Sequence, residues 1–204
     1  MTWAEYLMSL SPGDVLLFAT ATTGVHHDSD LLAVSYCKIN EAGESSYGTI
    51  FQALPEERAM QGIEYHKIDF NTLSTLGREK DDFEKAVSEL FKDTAAYSYN
   101  PFFQTLALTE MSDCEVGYVS DLASIVSRAV NQRMMSAEEL DKITNLFQFG
   151  AFLSKMGKAP PFKRVMQMCN ITTDPYSGEL PVVMNVQVLH AFWEQLAQLE
   201  LLTY

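Results

Sequence analysis

Apolar residues in the first quarter of the chain occur in short blocks separated by turn-forming residues. Val15–Phe18 is a short apolar run of the kind found in buried central strands. Leu31–Ile39 and Ser46–Leu54 have the composition of two further strands, and Gly43 with its polar neighbours predicts the hairpin turn between them. The pattern therefore predicts an antiparallel meander of three strands.

A helix is predicted before the first strand. Thr2 and Glu5 have the spacing of a capping box, in which each side chain bonds to the backbone N–H of the other residue. Residues at helical spacing then form an apolar side, which consists of Trp3, Tyr6, Leu7 and Leu10.

Helices and strands alternate after the meander. Glu79–Lys92 is an amphipathic helix, Ala95–Tyr99 a fourth strand, and Asn100 and Pro101 begin the next helix. A fifth strand is expected at Gly117–Val119. Further helices are expected at about residues 122–130, 136–156, 161–170 and 182–199. We expect one domain over residues 1–204, of the α/β class, with a mixed five-stranded central sheet whose first three strands are antiparallel and whose faces are flanked by helices.

Charge narrows the classes of partner. The chain has 27 acidic and 14 basic residues and a formal net charge of −13. Proteins bind the phosphate backbone mainly by neutralising it with Lys and Arg. A protein partner is therefore favoured, and binding of single-stranded nucleic acid is disfavoured unless bound metal ions supply positive charge.

The three cysteines, Cys37, Cys114 and Cys169, match no zinc-binding spacing and are expected to be reduced thiols. The N-terminus lacks the pattern of a secretory signal, and no apolar run reaches the length of a membrane span. These features predict a cytoplasmic protein without a membrane partner.

Several polar residues are candidate sites outside any larger motif. The segment 26–30, His-His-Asp-Ser-Asp, favours a solvated loop over a metal site, because adjacent histidines rarely face one ion. His66 and His190 are expected on a helix surface or at the edge of the core, and Asp113 and Asp121 in turns or caps. No metal-binding residues are predicted from these groups.

Residues 18–24, Phe-Ala-Thr-Ala-Thr-Thr-Gly, resemble the first motif of the DnaQ-like (DEDDh) 3′–5′ exonucleases, which is Phe-Asp-Thr-Glu-Thr-Thr-Gly. Ala19 and Ala21 occupy the positions of the two catalytic acids. In the family, these acids lie two apart on one face of a strand and bind two divalent metal ions that activate water. Alanine can neither bind a metal ion nor activate water.

Two later segments resemble the remaining motifs. In the second, His-Asn-x-x-Phe-Asp, Tyr99 replaces the His and Gln104 the Asp, whereas Asn100 and Phe103 match. In the third, His-x-x-x-x-Asp, Leu180 takes the place of the general base and Asn185 that of the last metal-binding Asp. The resemblance spans about residues 14–200 and implies a ribonuclease H-like fold. Residues of about 132–157 look like a helical insertion and are not covered by the resemblance.

The resemblance also implies a substrate groove. Residues 63–68 follow Pro55 at a position where relatives have a His-Gly-Ile-like stretch. The candidate groove residues are Thr20, Thr22, Thr23, Gly24, His66, Asn100, Phe102 and Phe103.

These substitutions predict loss of the family's chemistry. Neutral amides at Gln104 and Asn185 are poor ligands for two hard cations, and Leu180 cannot accept a proton from water. We therefore expect a catalytically inactive exonuclease-like protein that needs no metal cofactor and serves as an interaction or binding module.

One alternative is a 3′–5′ exonuclease of single-stranded DNA or RNA, dependent on two Mg²⁺ or Mn²⁺ ions and captured as an inactivated Ala19/Ala21 variant. The changes at Gln104, Leu180 and Asn185 count against it, because inactivation does not require five substitutions. Another is an unrelated ribonuclease H-like protein whose motif match is accidental.

Overall fold

A computed structural model describes residues 1–10, 13–26, 28–122, 124, 125, 129, 181–198, 200 and 201. The helices expected at 136–156 and 161–170, the insertion at 132–157 and Leu180 lie outside these residues. Within the described residues, no helix is both long enough and apolar enough to cross a membrane.

The centre of the fold is a five-stranded mixed sheet. Its strands are β1 (Asp14–Thr22), β2 (Leu31–Ile39), β3 (Ser45–Phe51), β4 (Thr94–Ser98) and β5 (Val119–Asp121). The strands lie in the order β3-β2-β1-β4-β5. The β1–β2 and β2–β3 pairs are antiparallel, whereas β1–β4 and β4–β5 are parallel. The predicted fold class is therefore confirmed, and β1 extends beyond the expected Val15–Phe18 to Thr22, the fifth of the seven residues of the first motif.

Helices pack on both sides of the sheet. They are α1 (Trp3–Leu10), α2 (Glu56–His66), α3 (Phe70–Leu76), α4 (Lys80–Phe91), α5 (Pro101–Glu110) and α6 (Pro181–Gln198). Leu122, Ser124, Ile125 and Ala129 are also helical, within the helix expected there. Helices α2 and α3 were not predicted from the sequence.

The capping box of α1 is present. The Thr2 N–H donates to Glu5 Oε2 at 2.7 Å, and the Glu5 N–H donates to Thr2 Oγ1 at 3.2 Å. Trp3 and Leu7 are buried, but Leu10 is 58% exposed. The prediction that Leu10 belongs to the packed apolar side of this helix is wrong, since it is the last residue of the helix and more than half exposed.

Alternate residues of β1 face two separate cores. Val15 and Leu17 belong to an apolar cluster with α1 and α6. Leu16 and Phe18 belong to a second cluster with α4 and α5, in which Phe18 packs edge-to-face on Phe91 at 4.8 Å between ring centres. Because β1 is buried on both faces, its carboxyl end is held rigidly between helices from both layers.

Candidate functional site

A cavity of about 660 Å³ lies at the carboxyl end of β1. Its described lining residues are Thr20, Thr22, Thr23, Gly24, Val25, His26, Gln61, Tyr65, His66, Phe103 and Asn185. The structure thus brings together residues from the three segments that resemble the family's motifs. Asn185 comes from α6, more than 150 residues beyond the first of these segments. The volume is within the range typical of ligand pockets.

Gln104 lies beside the motif strand. Its Oε1 accepts hydrogen bonds from the Thr20 N–H at 2.7 Å and from the Thr20 hydroxyl at 2.9 Å. Thr20 is only 7% exposed, so its backbone N–H and its hydroxyl both need a hydrogen-bond partner within the protein. Gln104, which the resemblance places at the acid position of the second motif, therefore bonds to Thr20, the residue between Ala19 and Ala21.

Ala19 and Ala21 do not line the cavity. They are 4% and 0% exposed and belong to the apolar cluster that includes Val182 and Val186 of α6. A metal-binding pair of carboxylates must face a site that substrate and water can enter. Here the two methyl groups are enclosed by the core instead.

His66, at the end of α2, contacts the end of the motif strand. The Thr22 N–H donates to His66 Nε2 at 3.3 Å, which requires this nitrogen to be unprotonated. Burial lowers the pKa of His66. The imidazole is therefore neutral at neutral pH and carries its proton on Nδ1.

Gly62 allows α2 to approach β1 closely enough for this contact. A Cβ at this position would lie 2.9 Å from Thr23 Cα and 3.0 Å from the Thr22 carbonyl oxygen, and closer still to the Leu32 side chain. Any larger residue would have to displace backbone atoms, so the absence of a side chain at Gly62 positions His66 against Thr22.

Two of the candidate groove residues lie elsewhere. Asn100 is exposed and has a left-handed conformation, with φ of 57°, at the start of α5. Phe102 is 80% exposed and lines a separate pocket of about 370 Å³ with Leu106 and Tyr118. Neither residue lines the cavity. Helical periodicity turns Phe102 away from the side of α5 that carries Phe103 and Gln104.

Four residues of the cavity wall are not among the predicted groove residues: Val25, His26, Gln61 and Tyr65. Gln61 and Tyr65 were missed because α2 is largely polar and buries only Ala59 and Gly62. Pro55 followed by two glutamates, a common pattern at a helix start, could have identified this helix.

The other polar groups have structural roles in the described part of the chain. Asp30 pairs with Arg58 at 2.7 Å, and Asp121 accepts a hydrogen bond from Ser124 three residues later, as expected of a cap. Asp113 is an exposed residue 3.9 Å from Lys80. No group of three or more His, Cys, Asp or Glu residues among the described positions could hold a metal ion.

His190 lies on α6 and bonds through Nδ1 to the hydroxyl of Tyr47, with the rings packed edge-to-face at 5.5 Å. This contact joins α6 to strand β3. It lies away from the cavity, whose described lining does not include His190.

No protein-family model matches this sequence, and no curated protein matches it. Solved structures of exonuclease I do match the fold. An apo exonuclease I has a TM-score of 0.62 and 10% identity, covering 93% of this chain and 43% of that one. A zinc-bound E. coli exonuclease I–single-stranded DNA complex has a TM-score of 0.60 and 10% identity, covering 93% and 40%. An exonuclease I complex with the SSB C-terminus has a TM-score of 0.60 and 9% identity, covering 92% and 41%.

The chain therefore spans about two fifths of the length of these proteins. At such low identity, the likeness is one of fold. The chain has a ribonuclease H-like, exonuclease-like fold.

Proposed function

We propose that this chain is a catalytically inactive exonuclease-like protein that acts as an interaction module for a protein partner. The observation that carries the proposal is the burial of Ala19 and Ala21, at 4% and 0% exposure, where the family would have two metal-binding acids. The amides of Gln104 and Asn185 lack the charge that would compensate for the missing carboxylates.

The same burial argues against an active parent altered at two positions. Carboxylates at 19 and 21 would lie among the buried apolar side chains of the cluster that includes Val182 and Val186. An ionised carboxylate without a partner is strongly destabilising in such surroundings. The surroundings are thus adapted to alanine.

Charge and fold likeness support a protein partner. The net charge of −13 opposes binding to phosphate backbones, and the described cavity lining contains neither Lys nor Arg. Exonuclease I structures include complexes with the SSB C-terminus and with single-stranded DNA, so proteins of this fold bind both kinds of partner. The likeness to exonuclease I also supports the exonuclease-like interpretation over an unrelated ribonuclease H-like protein.

A 3′-end degradation assay tests inactivity. The chain, in excess over 5′-labelled single-stranded DNA or RNA and with Mn²⁺ present, is expected to leave the substrate intact. E. coli exonuclease I serves as the positive control on DNA. Metal-dependent shortening by this chain would overturn the proposal.

Restoring the acids tests the alternative. The double variant Ala19→Asp, Ala21→Glu is expected to remain inert in both Mg²⁺ and Mn²⁺, whereas an inactivated exonuclease would regain cleavage. Ala19→Asp alone should cost about 3–5 kcal/mol of stability, the scale of an uncompensated buried charge. The matched control Ala42→Asp, in the exposed β2–β3 turn, should change stability by about 0.5 kcal/mol or less.

A further inference from the structure

The described lining of the cavity at the end of β1 has no acidic or basic side chain other than histidine, although the chain as a whole is strongly acidic. Its described lining consists of hydroxyl, amide, imidazole, aromatic and aliphatic groups, with no Asp, Glu, Lys or Arg. His66 Nε2 accepts a hydrogen bond from the Thr22 N–H, which a protonated nitrogen could not do. A charged ligand group would therefore lose its hydration without gaining an opposite charge.

The rim of the cavity carries exposed apolar surface. Val25 is 69% exposed and Tyr65 is 79% exposed, and each lines the cavity from a different element. Tyr65 packs edge-to-face on His66, with the ring centres 4.9 Å apart, which restricts its orientation before any partner arrives. Aromatic residues around a site depleted of charge are typical of the centre of a protein–protein interface.

Helix α2, which supplies Tyr65 to the cavity, also carries exposed acidic residues. Glu56, Glu57 and Glu64 are exposed on it, against one arginine, Arg58, that is paired with Asp30. An acidic surround attracts basic groups of a partner and repels acidic peptides and phosphates. The cavity thus favours an uncharged group of a ligand, and the acidic residues on α2 favour basic groups beside it.

We infer that the cavity binds a peptide segment of a partner protein, in which an uncharged apolar or aromatic residue enters the cavity and Lys or Arg residues flank it. This inference rests on the proposed function and adds the location and chemistry of the partner. The cavity volume of about 660 Å³ accommodates a large side chain together with the adjoining backbone. Thr23 and Asn185 supply polar groups that can bond to peptide amides.

Selection of random phage-displayed peptides on the full chain tests the inference, with affinities then measured by titration calorimetry. The selected peptides should share an apolar or aromatic residue flanked by Lys or Arg. Tyr65→Ala and Val25→Asp should each weaken binding by about tenfold or more, equivalent to about 1.4 kcal/mol. Phe102→Ala and Tyr118→Ala, which remove exposed aromatics from the separate pocket, should leave the affinity unchanged.

Three results would overturn the inference: no peptide that depends on Tyr65 and Val25, selection of acidic peptides, or competition by a single-stranded oligodeoxynucleotide at the same site. Because Val25 and Tyr65 are exposed, their substitution should leave the melting temperature unchanged, which separates lost binding from unfolding. An inert chain that binds no such peptide refutes only this inference, whereas nuclease activity refutes the proposed function.

Discussion

Single residues at the end of β1 show how this edge of the sheet is kept ordered. The Thr20 N–H and hydroxyl bond to Gln104, and the Thr22 N–H bonds to His66. These two backbone donors thereby have partners on neighbouring helices, which avoids the cost of about 1–3 kcal/mol for an unsatisfied group. The side chains of α2 and α5 therefore hold the strand in place by uncharged contacts.

The neutral state of His66 makes folding sensitive to acid. Burial lowers its pKa in the folded protein, so the unfolded chain, in which a histidine has a pKa of about 6.5, takes up the proton first. The contribution of His66 to stability is thus fully present above about pH 6.5 and is lost as the pH falls towards the folded-state pKa.

Urea unfolding at about pH 7.5 and about pH 5.5 measures this effect, since the two values lie on either side of the unfolded-state pKa. His66→Gln should lose less stability than the wild type between them, because a Gln carbonyl can accept from the Thr22 N–H without titrating. Equal losses in the two proteins would show that His66 is not the group responsible.

The residue-level prediction from the sequence was partial. The resemblance predicts Ala19 and Ala21 at the positions of the family's acids, since five of the seven motif positions match. It could not reveal that Val182 and Val186 share their apolar cluster, because that packing joins residues over 160 positions apart. The chemistry of a position is local in the sequence, whereas its exposure depends on the tertiary fold.

Helix α2 is the element on which the cavity most depends. It supplies Gln61, Tyr65 and His66, and its approach to β1 depends on Gly62. In an unobstructed helix interior, replacing Gly by Ala stabilises by about 0.5–1 kcal/mol. Here the added Cβ would meet backbone atoms of Thr22 and Thr23, which reverses the sign.

We expect Gly62→Ala to destabilise the protein by about 1–3 kcal/mol, the usual cost of overpacking. It should also shift the NMR signals of the His66 ring as the bond from Thr22 is lost. Gly117→Ala is the matched control, because a Cβ there meets nothing within 4 Å. Stabilisation by Gly62→Ala would mean that α2 does not press on β1 as closely as described.

Elements with a strong pattern were predicted well. Strands β1–β3 and helix α4 have clear apolar blocks or a helical stripe, with Phe83, Val87 and Phe91 buried in α4. Helices α2 and α3 were missed because each buries little: Ala59 and Gly62 in α2, and Leu73 in α3. Because α2 approaches β1 at Gly62, its sequence lacks the helical repeat of apolar residues by which a helix is detected.

At the scale of the whole molecule, charge and metal dependence are linked. An acidic chain with a net charge of −13 repels itself, and any salt that screens this repulsion stabilises the compact state. A metal site built from clustered carboxylates would add a specific effect that depends on the divalent ion. The two contributions can be separated by comparing MgCl₂ with NaCl at equal ionic strength.

We expect the melting temperature in MgCl₂ to equal that in ionic-strength-matched NaCl, and EDTA to leave it unchanged. A specific site filled at about 100 times its dissociation constant would add about 2.7 kcal/mol. For a chain of this size, that is a rise of about 5–10 °C. Such a rise in MgCl₂ alone would reveal a metal site and count against the inactive interpretation. If both salts instead raise the temperature equally, the response belongs to the overall charge, and the motif end of β1 is stabilised by its helices without a bound ion.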